Sequence, residues 1–422
     1  MSPLSPPPPP WHDCDIRSTL APMVFRARAC VAIALLGLTA CPSSEPSDPQ
    51  QGDTDTDTDS GSEPQSLVLT TFNVGLAFGY VEEASARVDP IIAAISGSQA
   101  DVICVQELWA AQNDAGEWTE DVINTVLAGT AGAFPHQYWE RTTAPEGTEP
   151  AGCTIEEAEP LEECAFEACG DLDPENLADC VLLECAEEFS ATSAGCQNCM
   201  ASNLGGELDD IITACKGVFS DGIVYDGHNG LAVLSKHPLE VTEHRAFDYS
   251  LTARSALHVR VAPEGGEPFD AYCTHLASDL SSTLAYPEGG TYGSYAEENA
   301  AQTTALLAFA DETATSDTIA LLGDFNHGPG ELPDNYQAVL DAGWADPIAD
   351  AGVGCSFCPD NTLLEGAEDV DDLIDHVYLR TPGMVESASI VFNDTVEITT
   401  ADGTNRASNL SDHYGVEVEL SR

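Results

Sequence analysis

Short apolar runs alternate with longer amphipathic runs along most of the chain. The amphipathic spacing predicts helices over 82–95, 174–189 and 295–311. Alternating strands and helices are compatible with an α/β fold but do not by themselves specify its architecture. The apolar runs predict strands over 67–74, 101–107, 228–239, 256–261, 269–274, 318–322, 373–379 and 411–420.

Residues 323–326 follow one of these strands and carry polar side chains. Gly323 frees the backbone, and Asp324 and Asn326 lie two residues apart, so an extended chain places both side chains on one face. A carboxylate that holds a cation or orients a water, beside an amide that donates to a phosphoryl oxygen, suits a phosphate and its metal. Because Gly, Asp and Asn also form turns, this stretch alone favours a plain turn.

Polar residues of the same kinds lie in, or at the ends of, other strand-like runs. Taken singly, each has an ordinary explanation, since an Asp is usually a cap or turn residue and a His is usually a satisfied side chain. Turns alone do not easily explain eight such residues spread over six strand segments. The eight are Asn73, Glu107, His275, Asp324, Asn326, Asp375, Asp412 and His413.

The charge of the chain limits the partners that it can bind. Asp and Glu total 72 against 13 Lys and Arg, which gives a formal net charge of -59. Such a chain repels polyanions at low salt, which argues against binding of long nucleic acid through basic patches. A divalent cation in a site would still attract a single phosphate locally.

Residues 1–41 are predicted to be a precursor segment, in which the pattern of an export signal begins after Met23, the candidate start. Arg26 and Arg28 precede an apolar run over 29–38, and the run is followed by small residues. The ending Leu38-Thr39-Ala40-Cys41 resembles a bacterial lipobox, in which cleavage leaves the cysteine as a lipidated N-terminus. The apolar run is too short to span a bilayer. We therefore predict an exported lipoprotein of the bacterial cell envelope or outer membrane, anchored through Cys41, with an extracellular protein as the alternative.

Residues 42–65 are poor in apolar side chains. Ser, Pro, Thr and Asp predominate, and acidic residues alternate with Thr or Ser over 53–60. This composition favours disorder. The alternation lacks the glycine and closing glutamate of an EF-hand loop, so we predict an acidic tether that leads to a folded domain over 66–422.

Residues 151–216 carry eight cysteines and are predicted to be an insertion in that domain. Disulfides are the expected state of cysteines in an exported chain. A zinc site at Cys196-x-x-Cys199 is the alternative, but no histidine accompanies the cluster. Cys355-x-x-Cys358 predicts a small bridge, and Cys104 and Cys273 are either a pair or buried thiols. The eight cysteines are Cys153, Cys164, Cys169, Cys180, Cys185, Cys196, Cys199 and Cys215.

The order of the short motifs resembles that of the endonuclease/exonuclease/phosphatase superfamily, which includes deoxyribonuclease-like nucleases, inositol phosphatases and neutral sphingomyelinases. The resemblance implies a four-layered α/β sandwich of two packed mixed β-sheets, here with a mainly helical cysteine-rich insertion. It runs from about residue 67 to residue 420. The motifs are Thr71-Phe72-Asn73, Val105-Gln106-Glu107, Gly230 to Lys236, Thr274-His275-Leu276, Gly323-Asp324-Phe325-Asn326, Asp375-His376-Val377 and Ser411-Asp412-His413.

The resemblance also implies a metal site. Glu107 would be the main ligand, with Asn73 and Asp412 close to the metal or the phosphate. Mg²⁺ is the usual ion of the family, and an all-oxygen set suits it, with Mn²⁺ or Ca²⁺ as alternatives.

The catalytic roles implied by the resemblance fall on five residues. His413 would be the general base that takes a proton from the attacking water, and Asp375 would orient it. His275 would stabilise phosphoryl oxygens or help the leaving group. Asn326 would donate to a phosphoryl oxygen, and Asp324 would orient the nucleophile. No covalent intermediate with the enzyme is needed.

Three functions are compatible with these residues. The one we favour is a metal-dependent phosphodiesterase at the cell surface that acts on a phospholipid head group or a small phosphoester. The alternatives are an extracellular nuclease and a non-catalytic binding protein on the same fold. Arg254 and Arg260 flank a strand near the site, and each either contacts phosphate or forms a surface ion pair.

Overall fold

Two β-sheets lie face to face at the centre of the computed structural model. The structure describes residues 66–421, except for 79, 114, 143–149, 171–173, 204–205, 221–223, 283–285, 288–289, 365–369, 382–384 and 402. The described residues belong to one compact unit. The predicted leader with Cys41 and the predicted tether lie outside the described residues.

Fifteen strands occur within the described residues. They are β1 (Ser66–Asn73), β2 (Val102–Gln106), β3 (Ala111–Gln112), β4 (Trp118–Thr119), β5 (His136–Tyr138), β6 (Ala232–Ser235), β7 (Leu239–Ala246), β8 (Ser255–Val261), β9 (Phe269–His275), β10 (Ile319–Asp324), β11 (Asp375–Leu379), β12 (Val385–Val391), β13 (Val396–Thr399), β14 (Asn405–Ser408) and β15 (Gly415–Ser421).

Ten α-helices occur in the same part of the chain, together with a 3-10 turn at Val224–Gly227. The helices are α1 (Ala84–Gly97), α2 (Asp121–Thr130), α3 (Ile155–Cys169), α4 (Pro174–Glu184), α5 (Ala186–Ser190), α6 (Ala194–Ser202), α7 (Leu208–Cys215), α8 (Tyr295–Thr313), α9 (Pro333–Asp341) and α10 (Pro347–Ala351).

Both large sheets are mixed. The first has the strand order β12-β15-β1-β2-β6-β5, in which β1 and β2 are parallel. The second has the order β11-β10-β9-β8-β7, in which β9 and β10 are parallel. In each parallel pair, β1–β2 and β9–β10, the carboxyl ends of both strands lie at the same edge of the sheet. Polar residues lie at these strand ends.

Apolar side chains fill three spaces between layers. The inner faces of the sheets share a buried core that includes Leu69, Val233, Leu257 and Leu322. A second core lies between the first sheet and helices α1 and α2, and a third lies between the second sheet and helices α8 and α9. The order of helix, sheet, sheet and helix confirms the predicted four-layered sandwich.

A disulfide joins the two sheets through this inner core. Cys104 on β2 and Cys273 on β9 are bonded, with 5.2 Å between their Cα atoms. Both side chains are buried. Cys104 and Cys273 were predicted to be either a disulfide pair or two buried thiols, and the structure contains the disulfide.

The insertion over 151–216 has a small apolar core of its own, built by α3 to α7. Its cysteines form four disulfides, so the predicted disulfide framework is confirmed. Cys196 and Cys199 belong to different bridges, which leaves no thiolate pair for zinc. The predicted helix over 174–189 divides into α4 and α5 at Cys185. The bridges are Cys153–Cys196, Cys164–Cys185, Cys169–Cys180 and Cys199–Cys215.

The six disulfides among the described residues indicate folding in an oxidising compartment, as expected for an exported protein. None of the helices in the described part of the chain has both the length and the apolar character to cross a lipid bilayer.

Candidate active site

Three predicted site residues lie side by side at the edge of the second sheet. The strand register pairs Asp324 with His275 on one side and with Asp375 on the other. These residues end β9 and β10 and begin β11, so hydrogen bonding within the sheet fixes their order. All three side chains are buried. The edge of the sheet therefore carries Asp324 in the middle, with the imidazole of His275 on one side and the carboxylate of Asp375 on the other.

The first sheet contributes Asn73 and Glu107 to the same place. The Asn73 amide nitrogen donates to Glu107 Oε1 across 3.1 Å and to Asp324 Oδ2 across 2.9 Å. The Asn73 amide oxygen accepts from the Gly75 N–H at 3.0 Å. Asn73 thus links a carboxylate from each sheet, and its role as a metal ligand stays a prediction.

His413 and Asp375 form a hydrogen-bonded pair. His413 Nδ1 donates to Asp375 Oδ2 across 2.9 Å, and the other ring nitrogen, Nε2, lies 3.9 Å from Asp324 Oδ2. Burial acts to lower the pKa of His413, but the charges of Asp375 and Asp324 outweigh it and raise the pKa well above its usual range. A histidine held by one carboxylate, with its second nitrogen facing a polar site, has the arrangement of a general base.

His275 lies on the opposite side of Asp324. Its Nε2 is 3.5 Å from Asp324 Oδ2 and 4.0 Å from Glu107 Oε1. Burial lowers the pKa of His275 well below its usual range, and the nearby charges of Arg254 and His413 lower it further. His275 is therefore a neutral imidazole near pH 7, which can donate one hydrogen bond to a phosphoryl oxygen.

Two carboxylates of the site have raised pKa values. Burial raises the pKa of Glu107, and the charge of Asp412 adds to the effect. Burial and the neighbouring Asp375 raise the pKa of Asp324 to about 7. Because buried acids with raised pKa values gain from a nearby cation, and because the donors are mainly oxygens, the set fits a hard divalent ion such as Mg²⁺.

Two groups of side chains have ligand atoms close enough to hold such an ion, and both include Asp324. One group is Glu107, His275 and Asp324, and the other is Asp324, Asp375 and His413. Asp412 belongs to neither group. Its Oδ1 accepts from the Ser411 hydroxyl at 3.0 Å, and its side chain is partly exposed at the rim. The predicted role of Asp412 at the metal stays a prediction.

Asn326 does not have the extended geometry predicted for it. Its φ is 49°, in the left-handed region, so Asp324 and Asn326 do not point from one extended strand face as expected. The Asn326 N–H donates to Asp324 Oδ1 at 2.9 Å, and its Nδ2 donates to the Leu276 carbonyl at 2.9 Å. The strand ends at Asp324, and the next residues form a turn whose amide hydrogen bond locks that carboxylate.

Comparison with known proteins identifies the family. A model of the endonuclease/exonuclease/phosphatase family matches residues 70–413, which include all eight predicted site residues. The chain belongs to the endonuclease/exonuclease/phosphatase family. Members of this family are generally metal-dependent phosphoester hydrolases. A search of curated proteins finds no match.

Solved structures share the fold at low sequence identity. One is SmcL, with a TM-score of 0.51 and 15% identity over 85% of this chain and 100% of that one. Another is a beta toxin mutant from Staphylococcus aureus with bound magnesium ions, with a TM-score of 0.50 and 12% identity over 85% of this chain and 100% of that one. At these identities the likeness concerns the fold alone.

The sequence left open whether Arg254 contacts phosphate or forms a surface ion pair. Its side chain is only 6% exposed, and its Nε and Nη1 atoms have no hydrogen-bond partner among the described residues. Burial lowers its pKa, while the nearby charges of Glu107 and Asp324 act to raise it. Arg254 is therefore a buried cation beside the carboxylates, and the surface ion pair considered for it is wrong.

Arg260 is different, although it lies on the strand that follows Arg254. Its guanidinium is partly exposed, lies 3.7 Å from Glu240 and donates to Thr315 Oγ1. It is part of a surface network away from the site carboxylates.

An aromatic group, which the sequence did not predict, lines one side of the site. The ring of Trp109 is 6.3 Å from that of His275 and stacks on Tyr225 at 4.6 Å. Trp118 packs edge-on to Tyr225, and Ala201 of helix α6 packs against the same group. The insertion therefore reaches this wall of the site through α6.

Proposed function

We propose that the protein is a metal-dependent phosphodiesterase that acts on a small phosphoester or a phospholipid head group. One observation carries the proposal: the paired His413 and Asp375 face Asp324, and burial raises the pKa values of Asp324 and of the neighbouring Glu107. This arrangement places a proton acceptor beside a set of oxygen ligands, as phosphoester hydrolysis requires.

In this proposal His413 Nε2 removes a proton from the attacking water. Asp375 fixes the imidazole with Nδ1 protonated and stabilises the positive charge that forms on the ring. The oxygen of the water forms a bond to phosphorus while the bond from phosphorus to the leaving oxygen breaks. The leaving oxygen then takes up a proton from solvent, and His413 returns the proton that it removed to solvent. Asp324, 3.9 Å from Nε2, lies where it can orient the water.

Glu107 would hold the metal, with Asn73 and Asp412 close to it. When bound, Mg²⁺ offsets the negative charge of the phosphoryl group and that of the leaving oxygen. Mn²⁺ and Ca²⁺ are the alternatives for the same oxygen donors.

Arg254, His275 and Asn326 are proposed to bind the phosphoryl oxygens. Arg254 supplies a buried positive charge with free donor atoms, and His275 supplies a neutral donor. Asn326 Nδ2 uses one hydrogen for the Leu276 carbonyl and keeps a second one for a ligand. Charge-assisted bonds from a guanidinium to phosphate are among the stronger hydrogen bonds in proteins.

The charge of the chain favours a small or lipid-borne substrate over a long nucleic acid. With 13 basic residues against 72 acidic ones, the protein has few groups to contact successive phosphates. We further propose that the protein is exported as a lipoprotein attached through Cys41, and that the insertion beside the aromatic wall contributes to the choice of substrate.

Hydrolysis assays on a panel of substrates test this function. The panel contains sphingomyelin vesicles, bis(p-nitrophenyl) phosphate, p-nitrophenyl phosphate and plasmid DNA, each with Mg²⁺ and with EDTA. We expect magnesium-dependent cleavage of the lipid or of the small diester. Cleavage of DNA alone would favour the nuclease, and no turnover of any substrate would favour a binding protein.

A further inference from the structure

A short loop that carries none of the predicted site residues contacts both members of the His413–Asp375 pair. It comprises residues 355–362, between α10 and β11, and is named here the clamp loop. A disulfide between Cys355 and Cys358 closes its first turn. Ser356 and Asn361 are both buried, so neither polar side chain serves only to solvate the surface.

Ser356 holds the start of β11, where Asp375 lies. Its hydroxyl oxygen accepts from the N–H groups of Ile374 and Asp375, each at 3.1 Å. The Ser356 N–H donates to the Asp372 carbonyl at 2.9 Å. The backbone on both sides of Ile374 is thus fixed relative to one residue of the clamp loop.

The same loop holds the segment that carries His413. Asn361 Nδ2 donates to the carbonyls of Ser411 at 2.8 Å and Asp412 at 3.0 Å. The Tyr414 N–H donates to the Ser356 carbonyl at 2.7 Å. The backbone groups on both sides of His413 are therefore bound to the clamp loop.

Phe357 completes the contact with the imidazole. Its ring centroid lies 5.0 Å from that of His413, with a tilt of 49° between the planes. The Phe357 N–H also donates to the Asp372 carbonyl, which adds to the Ser356 contact with the same residue. The imidazole is therefore held on one edge by Asp375 and packed against an aromatic ring of the clamp loop.

We propose that the clamp loop positions the general base, with Ser356 and Asn361 as positioning residues that act through the backbone of Asp375 and His413. The inference rests on the proposed function, because it assigns a catalytic purpose to this pair. Strand pairing orders Asp375 relative to Asp324, but His413 precedes β15 and has no ladder partner. The contacts with the clamp loop therefore fix the position of His413, which strand pairing does not fix.

The disulfide between Cys355 and Cys358 restricts the clamp loop. Cys355 and Cys358 flank Ser356 and Phe357, so the bridge limits the conformations of the two residues that contact the pair. A short covalent closure reduces the freedom of the loop before substrate binds. Opening this bridge should therefore loosen the pair without removing any catalytic group.

Two variants and a matched control test the proposal. Ser356→Ala removes the acceptor for two backbone N–H groups, and Asn361→Asp removes the donor to two carbonyls while keeping the side-chain shape. Thr130→Val is the control, because Thr130 is a fully buried hydroxyl on α2 that bonds the Val126 carbonyl, away from the site. All are assayed on bis(p-nitrophenyl) phosphate well below their unfolding midpoints.

We expect kcat to fall about 10- to 100-fold in both loop variants, with KM changed less than about threefold, because small misplacements of a base cost rate more than binding. The control should keep the wild-type kcat even where its Tm falls. Loop variants with the wild-type kcat would overturn the proposal.

A second readout does not depend on activity and separates this inference from the proposed function. Amide hydrogen exchange is measured for peptides that cover 372–379 and 409–416. We expect faster exchange in both peptides for each loop variant and for Cys355→Ser with Cys358→Ser, and unchanged exchange there for Cys169→Ser with Cys180→Ser. Exchange that is unchanged in both peptides would contradict the clamp, whatever the substrate proves to be.

Discussion

The candidate site and the cysteine-rich insertion are built on opposite plans. The site collects polar residues from positions 73 to 413 and buries them where the two sheets meet. The insertion closes itself with disulfides whose partners are 11 to 43 residues apart. The site thus depends on the whole fold, whereas the insertion depends mainly on local cross-links.

The two regions also differ in the kinds of side chain that they expose or bury. Five of the six large apolar side chains that are exposed in the described residues belong to the insertion or its flanks. The site instead buries charged groups that need partners. The comparison shows a site that draws charged groups into the interior and an insertion that leaves large apolar side chains exposed. The five are Ile155, Phe166, Leu183, Val218 and Phe219.

The largest effect should come from removing the proposed base at the site. His413→Ala is expected to lower kcat/KM by about 10²- to 10⁴-fold, because it removes proton transfer from the attacking water. The disulfides of the insertion should remain formed, as measured by the count of free thiols after denaturation. Wild-type turnover in this variant would remove His413 from the mechanism.

A charge-neutral change at Asp375 should shift the pH dependence. Asp375 raises the pKa of His413, so Asp375→Asn should lower that pKa and move the acidic limb of kcat/KM to lower pH. For a charge at hydrogen-bond distance the shift is at least about one pH unit. The turnover rate itself should also fall, because the imidazole loses its negatively charged hydrogen-bond acceptor. The check is a pH–rate profile between pH 5 and pH 9, roughly centred on the ordinary range of histidine.

An unmoved acidic limb would mean that a group other than His413 controls it. Asp341→Asn, on the exposed side of α9, is the control for loss of one carboxylate from this acidic chain. It should leave the profile unchanged.

A smaller loss is expected at Arg254, and the chain offers its own control. Arg254→Met should reduce kcat/KM about 10-fold or more, because a charge-assisted hydrogen bond to phosphate is lost from a buried position. Arg260→Met removes a partly exposed guanidinium from the same strand region and should leave kcat/KM within about twofold. Equal losses in the two variants would show that the overall charge matters rather than the site.

The smallest effect on the chemistry should come from the insertion. Cys164→Ser with Cys185→Ser opens a bridge between α3 and the start of α5. Turnover of bis(p-nitrophenyl) phosphate should stay within about twofold, since the sheets and the clamp loop, not the insertion, position the catalytic groups. Relative rates on vesicles and on soluble diester should change if the insertion selects substrate, and an unchanged ratio would argue against that role.

Much of the architecture followed from short sequence patterns. The strand ends at Asn73, His275 and Asp324 were predictable because apolar runs stop at polar residues there. The face-to-face packing of two sheets was not, because periodicity shows which residues are buried but not which sheets pair. That prediction came from the order of the family motifs.

The parts that sequence reasoning missed depend on tertiary contacts. Nothing local distinguishes Arg254 from Arg260, and only the fold buries one and exposes the other. For residues 323–326 the sequence was compatible with a turn and with an extended continuation of β10, and the fold has the turn, in which the Asn326 N–H bonds Asp324. The strands β12 to β14 were also missed, as their alternating residues are largely exposed.

A magnesium titration of turnover tests the central claim most directly. The rate on bis(p-nitrophenyl) phosphate is measured against Mg²⁺ concentration for the wild-type protein and for Glu107→Gln, which keeps the side-chain shape and removes the charge. We predict no turnover in EDTA and a half-saturating Mg²⁺ concentration that is at least about 10-fold higher in the variant. Full activity in EDTA, or identical titrations for the two proteins, would contradict a metal-dependent site built around Glu107.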